Sequence, residues 1–419
     1  MLSLILTLAT LSMPQDGITY QEFEEEVMDY SITLSRSIEQ SNAMHHASRA
    51  AKTDFLPTVS NEASYMFNLS GADINLGNGD VALKRHAYTL STNIIQPVLT
   101  GGRISNNYKA ALLKAQIADE HVQQTLDDII LQAQSVYWGA AAKKAVYTTM
   151  CQYVGMIEQF TDSLQERFVA GDVDRTDLLQ MQTRLAEAQL QRSSALLAYR
   201  NATQAMNSLM GRQPDSPTAP SDSLTDPPPM PFAVDLETAL NQRPDYAIDS
   251  LQVEHQKRLM NLAVAQHKPT LSVGLLQQIA TPIINIDGKP KLTPVFFAKM
   301  SMPLIHWGKR TKTLASQRAL LNEATLAQSD RYDQVNLELA TSLTAVQESR
   351  KQIDYATENC RLAQDNLDTI SFGYTEGRLT ILDVLAAQLT WLQANTNLIQ
   401  SHHNYRMALA NYRHATGSD

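Results

Sequence analysis

From Phe55 to Leu69 the odd positions are mostly apolar (Phe55, Val59, Ala63, Tyr65, Phe67, Leu69) and the even ones mostly polar (Thr58, Ser60, Glu62, Ser64, Asn68). A period of two is that of a strand with one oily and one wet face. The stretch "HAYTLSTNIIQPVL" from His86 continues it, with Leu90, Thr92 and Ile94 against Ser91 and Asn93. The pattern returns later, in Leu271, Val273 and Leu275, and in Phe296, Ala298 and Met300 against Lys299 and Ser301. Two β-hairpins are predicted, about 55–98 and about 269–304, joined at Ser70 to Arg85 and at Thr281 to Lys291. Each strand has about the ten residues a tilted strand needs to cross a bilayer. An amphipathic hairpin on a soluble core shows the same alternation; here nothing else in the chain is left to cover the oily face.

Elsewhere the period is helical. Shorter helices precede the hairpins, roughly Thr19 to Lys52 and Leu236 to Gln266, and long proline-free runs follow them, Arg103 to Phe168 and Lys309 to Phe372. A helix of some 64 residues reaches roughly 95 Å, far beyond a membrane's thickness. These runs predict a tunnel wall or stalk. The returning segments repeat every seven residues: Leu178, Leu185, Tyr199 and Met206 form one column, and Val384, Trp391, Leu398, Tyr405 and Tyr412 its counterpart. A second column is small: Ala188, Ala195 and Ala202, and Ala387, Ala394, Ser401, Ala408 and Ala415. Large and small columns side by side let helices approach closely in knobs-into-holes packing. Arg192 interrupts the first column.

The two halves are copies. A constant offset of 206 puts Pro97 on Pro303, Gly102 on Gly308, Gly171 on Gly377, Asp177 on Asp383, Tyr199 on Tyr405 and Gly211 on Gly417. Upstream the offset becomes 212, with "FLPTVS" at Phe55 against "HKPTLS" at His267, so six residues are inserted between the landmarks, as a loop tolerates. Between the copies, Pro214 to Pro231 holds seven of the 16 prolines and reads as a linker that is neither helix nor sheet. The expected plan is an export signal at 1–17, a first repeat at 18–211, a linker at 212–234 and a second repeat at 235–419. The tips fall at 169–177 and 373–383, and the returning helices run to 210 and 416.

At each tip the chain must reverse. Gly171 and Gly377 supply the left-handed backbone that ends a helix. Asp174 and Thr380 stand where N-caps belong, and Asp177 and Asp383, three further on, can close the next helix start as a weak capping box. In a ring of copies the same aspartates would recur around the axis as carboxylates that favour cations. Both roles fit the residues.

Composition narrows the classes. The lack of any apolar run near twenty residues excludes a transmembrane helix, so a membrane span would have to be made of strands. Four strands cannot close a membrane barrel; two copies would give eight and three would give twelve. A net charge of -9 argues against nucleic acid. The opening "MLSLILTLATLSMPQDG" resembles the core of a secretory signal without its usual basic start, and no cysteine lies near it to carry a lipid. Cys151 and Cys360 are too few for a disulfide framework and read as small buried apolar residues. The chain has no nucleophile elbow, phosphate loop or zinc helix, so no enzyme and no cofactor is expected. The neighbours His45 and His46, and His402 and His403, point to different sides of a helix and make poor metal chelates.

Taken together the duplicated helix, hairpin, long helix and tip, "F-x-x-G-x-x-x-x-x-D-L-L" at Phe168 to Leu179, "Y-x-x-G-x-x-x-x-x-D-V-L" at Tyr374 to Leu385 and "NQRPDY" at Asn241 resemble the TolC-like outer-membrane factor family. The resemblance covers essentially everything after the signal. It implies a mainly α fold with a transmembrane β-barrel contribution: a homotrimer with a twelve-stranded barrel in the lipid of the Gram-negative outer membrane, above a helical barrel crossing the periplasm. The function it implies is the exit duct of a tripartite efflux pump or type I secretion system. The expected partners are a periplasmic adaptor and an inner-membrane pump of RND, ABC or MFS type. By the same resemblance, Gly171, Asp174, Gly377, Arg378 and Thr380 form the tip turns that meet the adaptor. Asp177 and Tyr374 match positions that tie neighbouring coils shut, and Asp383 an acidic constriction. The basic partner of the tie falls on Leu379, with Arg378 one place earlier, and a second acidic ring position falls on Ala386. The competing reading is a soluble periplasmic coiled-coil adaptor or scaffold, which leaves the oily hairpin faces unexplained. A helical pore-forming toxin would want an apolar helical hairpin, which the sequence lacks.

Overall fold

The computed structural model describes residues 16–67, 69, 73–75, 80–82, 86–280, 291–305 and 307–418. Most of the expected export signal and of the two hairpin connections therefore lies outside the described residues. In chain order the elements are β1 (Asp16–Ile18), α1 (Tyr20–Tyr30), α2 (Ile32–Thr53), β2 (Thr58–Phe67), β3 (Asp73–Asn75), β4 (Asp80–Ala82), β5 (His86–Leu99), α3 (Arg103–Ala170) and α4 (Arg175–Leu209). Then come β6 (Thr218–Pro220), α5 (Leu236–Gln242), α6 (Pro244–Ala265), β7 (Thr270–Ala280), β8 (Lys291–Ser301), α7 (Lys309–Thr375) and α8 (Ile381–Thr416). No described helix is apolar enough to cross a membrane. The chain divides into two compact units, one of residues 1–37, 122–244 and 332–419, the other of 38–121 and 245–331.

The second unit holds a four-stranded antiparallel sheet in the order β2-β5-β7-β8. Both predicted hairpins have joined one sheet. Residues directly opposite in an antiparallel ladder share a face, so the register shows what the alternation builds. Val59, Ile94, Leu275 and Phe296 line up across all four strands, as do Ala63, Leu90, Ile279 and Leu292. The rows between them on the other face include Glu62, Ser91, Gln278 and Thr293. Val59, Leu90, Leu292 and Phe296 are exposed, Phe296 by 82%. A small antiparallel pair, β3 with β4, lies within the first connection. The helical parts of this unit are held by polar contacts such as Ser41 Oγ donating to Asp119 at 2.5 Å and Arg331 pairing with Asp249 at 3.1 Å.

The first unit is helical. Thr19 and Glu22 close a full capping box at the start of α1, which buries Phe23 and Val27 against Ile129, Ala133, Tyr137 and Trp138 of α3. The heptad columns of the returning helices turn inward as expected: Leu178, Tyr199 and Met206 are buried, and so are Val384, Trp391, Tyr405 and Tyr412. The small column follows, with Ala188, Ala387, Ala394, Ala408 and Ala415 buried.

The linker departs from its expectation. It includes a short strand, β6, paired in parallel with β1, and the proline at its last residue stands at the end of the strand, where a missing N–H costs least. The rest of the linker is strapped to α8: the hydroxyl of Tyr405 donates to Pro228 O at 2.9 Å, that of Tyr412 to Phe232 O at 3.1 Å, and Arg406 donates to Ser223 O and Asp226 O while lying over Trp138 at 3.9 Å. Cys151 and Cys360 are unpaired and half-buried rather than buried; the Cys360 thiol donates to Asn395 at 3.3 Å.

Candidate functional site

Four helix ends meet at the tip of the helical unit. α3 stops where the N–H of Gly171 donates to Phe168 O at 3.1 Å and that of Asp172 to Arg167 O at 2.9 Å. α7 stops in the same way, with Gly377 donating to Tyr374 O at 3.0 Å and Arg378 to Gly373 O at 2.9 Å. This is a Schellman termination, repeated at the sequence offset, and it places Gly171 at φ 86° and Gly377 at φ 70°. A Cβ on either glycine would meet nothing within 4 Å. Gly377→Ala is therefore expected to cost only its backbone strain, about 1–2 kcal/mol, read as a lower melting temperature. Gly373 is different: a Cβ there would lie 2.6 Å from Leu379 Cδ1, so Leu379 packs on the glycine.

The helix starts are not copies of each other. Thr380 and Asp383 make a complete capping box: Thr380 N–H and Oγ1 donate to Asp383 Oδ2 at 2.8 and 2.7 Å, and Asp383 N–H donates to Thr380 Oγ1 at 3.4 Å. Those bonds hold the Asp383 carboxyl below the usual carboxylate range. Asp174 occupies the N-cap of α4 in extended conformation but makes no side-chain cap bond. Asp177, in the first turn of α4, is half-buried. Arg378 is exposed on the turn.

Beneath the turns lies an apolar core in which Tyr153, Ile157, Leu164, Met181, Val384 and Trp391 are buried. Tyr374 belongs to it, its ring 5.4 Å from that of Phe160 and 5.5 Å from the guanidinium of Arg167. Its hydroxyl is buried and has no hydrogen-bond partner among the described residues. Burial pushes the Tyr374 hydroxyl pKa up, Arg167 pulls it down, and the charge of Asp177 pushes it up further. The structure thus brings Asp177 and Tyr374 into each other's field without a hydrogen bond between them.

A feature absent from the motif reading is a cavity of about 550 Å3 between α4 and α8, lined by Leu179, Leu382, Leu385, Ala386 and Leu389 with Thr183 and Arg184. Arg184 is fixed by donating to the hydroxyl of Tyr153 at 2.9 Å and pairing with Glu187 at 3.1 Å. The signal for this groove was present as leucines standing outside the heptad columns. Ala386 forms part of its apolar lining.

Residues 32–212 and 236–418 match the family described as outer membrane efflux protein, and the segment between the two stretches is the proline-rich linker. In sequence the chain is similar to the outer membrane efflux protein BepC of Brucella suis biovar 1 (strain 1330), 19% identical over 359 residues that span 85% of this chain and 78% of that protein. In fold it is similar to the Campylobacter jejuni CmeC outer membrane channel, with a TM-score of 0.83 at 17% identity over 95% of this chain and 85% of that one. The outer membrane protein VceC of Vibrio cholerae superposes with a TM-score of 0.81 at 17% identity, covering 95% and 96% of the two chains.

Proposed function

The chain belongs to the outer membrane efflux protein family, and from that premise we propose that three copies form one duct, each lending four strands to a twelve-stranded barrel and two helical hairpins to a tunnel. It is an exit channel of the Gram-negative outer membrane with a periplasmic extension, and neither an enzyme nor a soluble scaffold. Residues 18–211 and 235–419 are its duplicated halves, with 212–234 as the strap between them.

The observation that supports closure through several copies is the sheet of the second unit; the number three comes from the family. Its apolar rows are exposed at Val59, Leu90, Leu292 and Phe296 and half-buried at Ile94, Leu275 and Ile279, and β2 and β8 each have a free edge among the described residues. Edges of that kind must be paired, and lipid demands closure. With the apolar rows outward, Glu62, Ser91, Gln278 and Thr293 face the lumen. In the tunnel, the tip turns at Gly171, Asp174, Gly377, Arg378 and Thr380 meet a periplasmic adaptor, which couples the duct to an inner-membrane pump of RND, ABC or MFS type. Asp177 and Tyr374 hold the tip closed, and three copies of Asp383 form an acidic constriction.

Single-channel recording in planar bilayers tests this, comparing the wild type with Asp383→Asn. Stable openings with a cation preference that falls in the variant are expected. Within one chain the capping bonds lower the Asp383 carboxyl pKa. The stabilising effect of the same carboxylate on the helix start follows that sign: present above the unfolded value, lost as pH falls through the native one. Unchanged selectivity would leave Asp383 with its capping role alone. A monomer that stays in solution without detergent would sink the trimeric barrel.

A further inference from the structure

Trp307 and Gly308 stand where the first repeat has Gly101 and Gly102. All four have a left-handed backbone, with φ of 60° at Gly101, 88° at Gly102, 45° at Trp307 and 79° at Gly308. Glycine adopts that conformation freely, whereas a bulky side chain is strained in it. Among the described residues Trp307 is the one non-glycine with positive φ, and its packing returns nothing, since the residue is 95% exposed. The other two tryptophans, Trp138 and Trp391, are buried in helical cores. A strained backbone that presents an unpacked indole points to a partner outside the chain.

The surroundings say what kind of partner. The ladder sets Thr58 opposite Ile95, Leu99 opposite Leu271 and Thr270 opposite Ser301, so the strand ends next to the helices lie at one end of the sheet. That end is oily, with Leu56, Val98, Met302, Leu304 and Ile305 exposed. Just beyond it in the chain come Lys52, Arg103, Lys268, Lys309 and Arg310, all exposed, and none in an ion pair among the described residues. Asp54 is the one acidic residue in the same segments (52–57, 99–110, 266–270 and 301–312). A local cationic excess on a chain of net charge -9 is not a product of composition.

We infer that this collar is a docking surface for the acidic phospholipids of the periplasmic leaflet. Trp307 rests at the headgroup level, where an amphipathic ring is best solvated, Leu304 and Ile305 reach the acyl boundary, and Lys309 and Arg310 meet the phosphates. The inference rests on reading the sheet as a membrane barrel, with the helices on the periplasmic side. A neighbouring subunit on the free edges of β2 and β8 would meet apolar residues there but gives no reason for the cations beside them.

The test is tryptophan quenching. Full-length protein is reconstituted in phosphatidylcholine vesicles containing a minor fraction of lipid brominated near the glycerol, either phosphatidylcholine or phosphatidylglycerol, and conductance is recorded from the same preparation. Trp307→Phe supplies the baseline from the two buried tryptophans. Quenching that depends on Trp307 is expected, stronger with brominated phosphatidylglycerol at equal mole fraction. Each cation near an anionic surface is worth about a fivefold preference, so Lys309→Gln with Arg310→Gln should cut the excess roughly 25-fold. That variant should keep the quenching by brominated phosphatidylcholine. Channels that conduct while Trp307 stays unquenched would show a protein surface covering the collar, and equal quenching by both lipids would remove the anionic preference; either overturns the inference and leaves the duct intact. Protein that neither inserts nor conducts would take the barrel reading down with it.

Discussion

Phe296→Arg is expected to remove the membrane-inserted form while leaving the helical unit folded. Phe296 ends the row that runs through Val59, Ile94 and Leu275, and it is 82% exposed. An arginine on the lipid face near the bilayer midplane costs about 2–4 kcal/mol. A trimer carries the change three times, about 6–12 kcal/mol, as much as the whole stability of a typical domain. Thr293→Arg is the matched control, three residues away on β8 in the row of Glu62, Ser91 and Gln278; facing water, it should be tolerated. The yield of trimer in purified outer membranes reads both, with far-UV circular dichroism of the detergent-extracted variants to check the helices. If the arginine at 296 inserts normally and the one at 293 does not, the two faces have been assigned the wrong way round.

The second large effect is expected at the tip, where Asp177→Ala should raise the open probability of the isolated channel about a hundredfold. The buried Tyr374 hydroxyl has no hydrogen-bond partner among the described residues, and such a group costs about 1–3 kcal/mol when left unmet. Asp177 already acts on that hydroxyl through its charge. If closing the ring brings the two into contact, one tie per subunit at about 1 kcal/mol sums to roughly 3 kcal/mol, which is the hundredfold. Tyr374→Phe keeps the ring packed beside Phe160 and Arg167 and deletes the hydroxyl alone, so it should open the channel in the same direction. Wild-type closure in both variants would place the lock elsewhere, with the apolar groove of Leu179, Leu382 and Leu389 the next place to look. By the family resemblance the basic partner of such a tie would fall on Leu379, which packs on Gly373.

The two tips show how far spacing can be read. Asp177 and Asp383 occupy the same place in their repeats, three residues after an N-cap, yet a box forms only at Thr380. The hydroxyl of Thr380 both donates to Asp383 and accepts from its N–H. Asp174 in the first repeat is itself an anion when ionised, and it has no proton to give Asp177. The residue types held that difference, but the spacing alone did not. The linker taught the reverse lesson, since prolines announce irregular backbone without saying what it lies on. Only the fold brings Pro228 and Phe232 to the hydroxyls of Tyr405 and Tyr412, residues that the heptad pattern had already turned inward for another reason.

By itself the sequence determined the main features set by rotation per residue. The period of two made the strands, the heptad chose the buried columns of α4 and α8, and the glycines at 171 and 377 ended helices because only their backbone takes a positive φ cheaply. The offset of 206 predicted that these features would occur twice. Tertiary structure decided what depends on neighbours distant in the chain: that β5 pairs with β7 so that the two hairpins share one sheet, that α4 and α8 leave an apolar groove, and that the Tyr374 hydroxyl is buried with no hydrogen-bond partner among the described residues. Local geometry repeats along a chain and leaves its period in the residues, whereas a contact across it is a choice among many faces of similar composition, and only packing makes that choice.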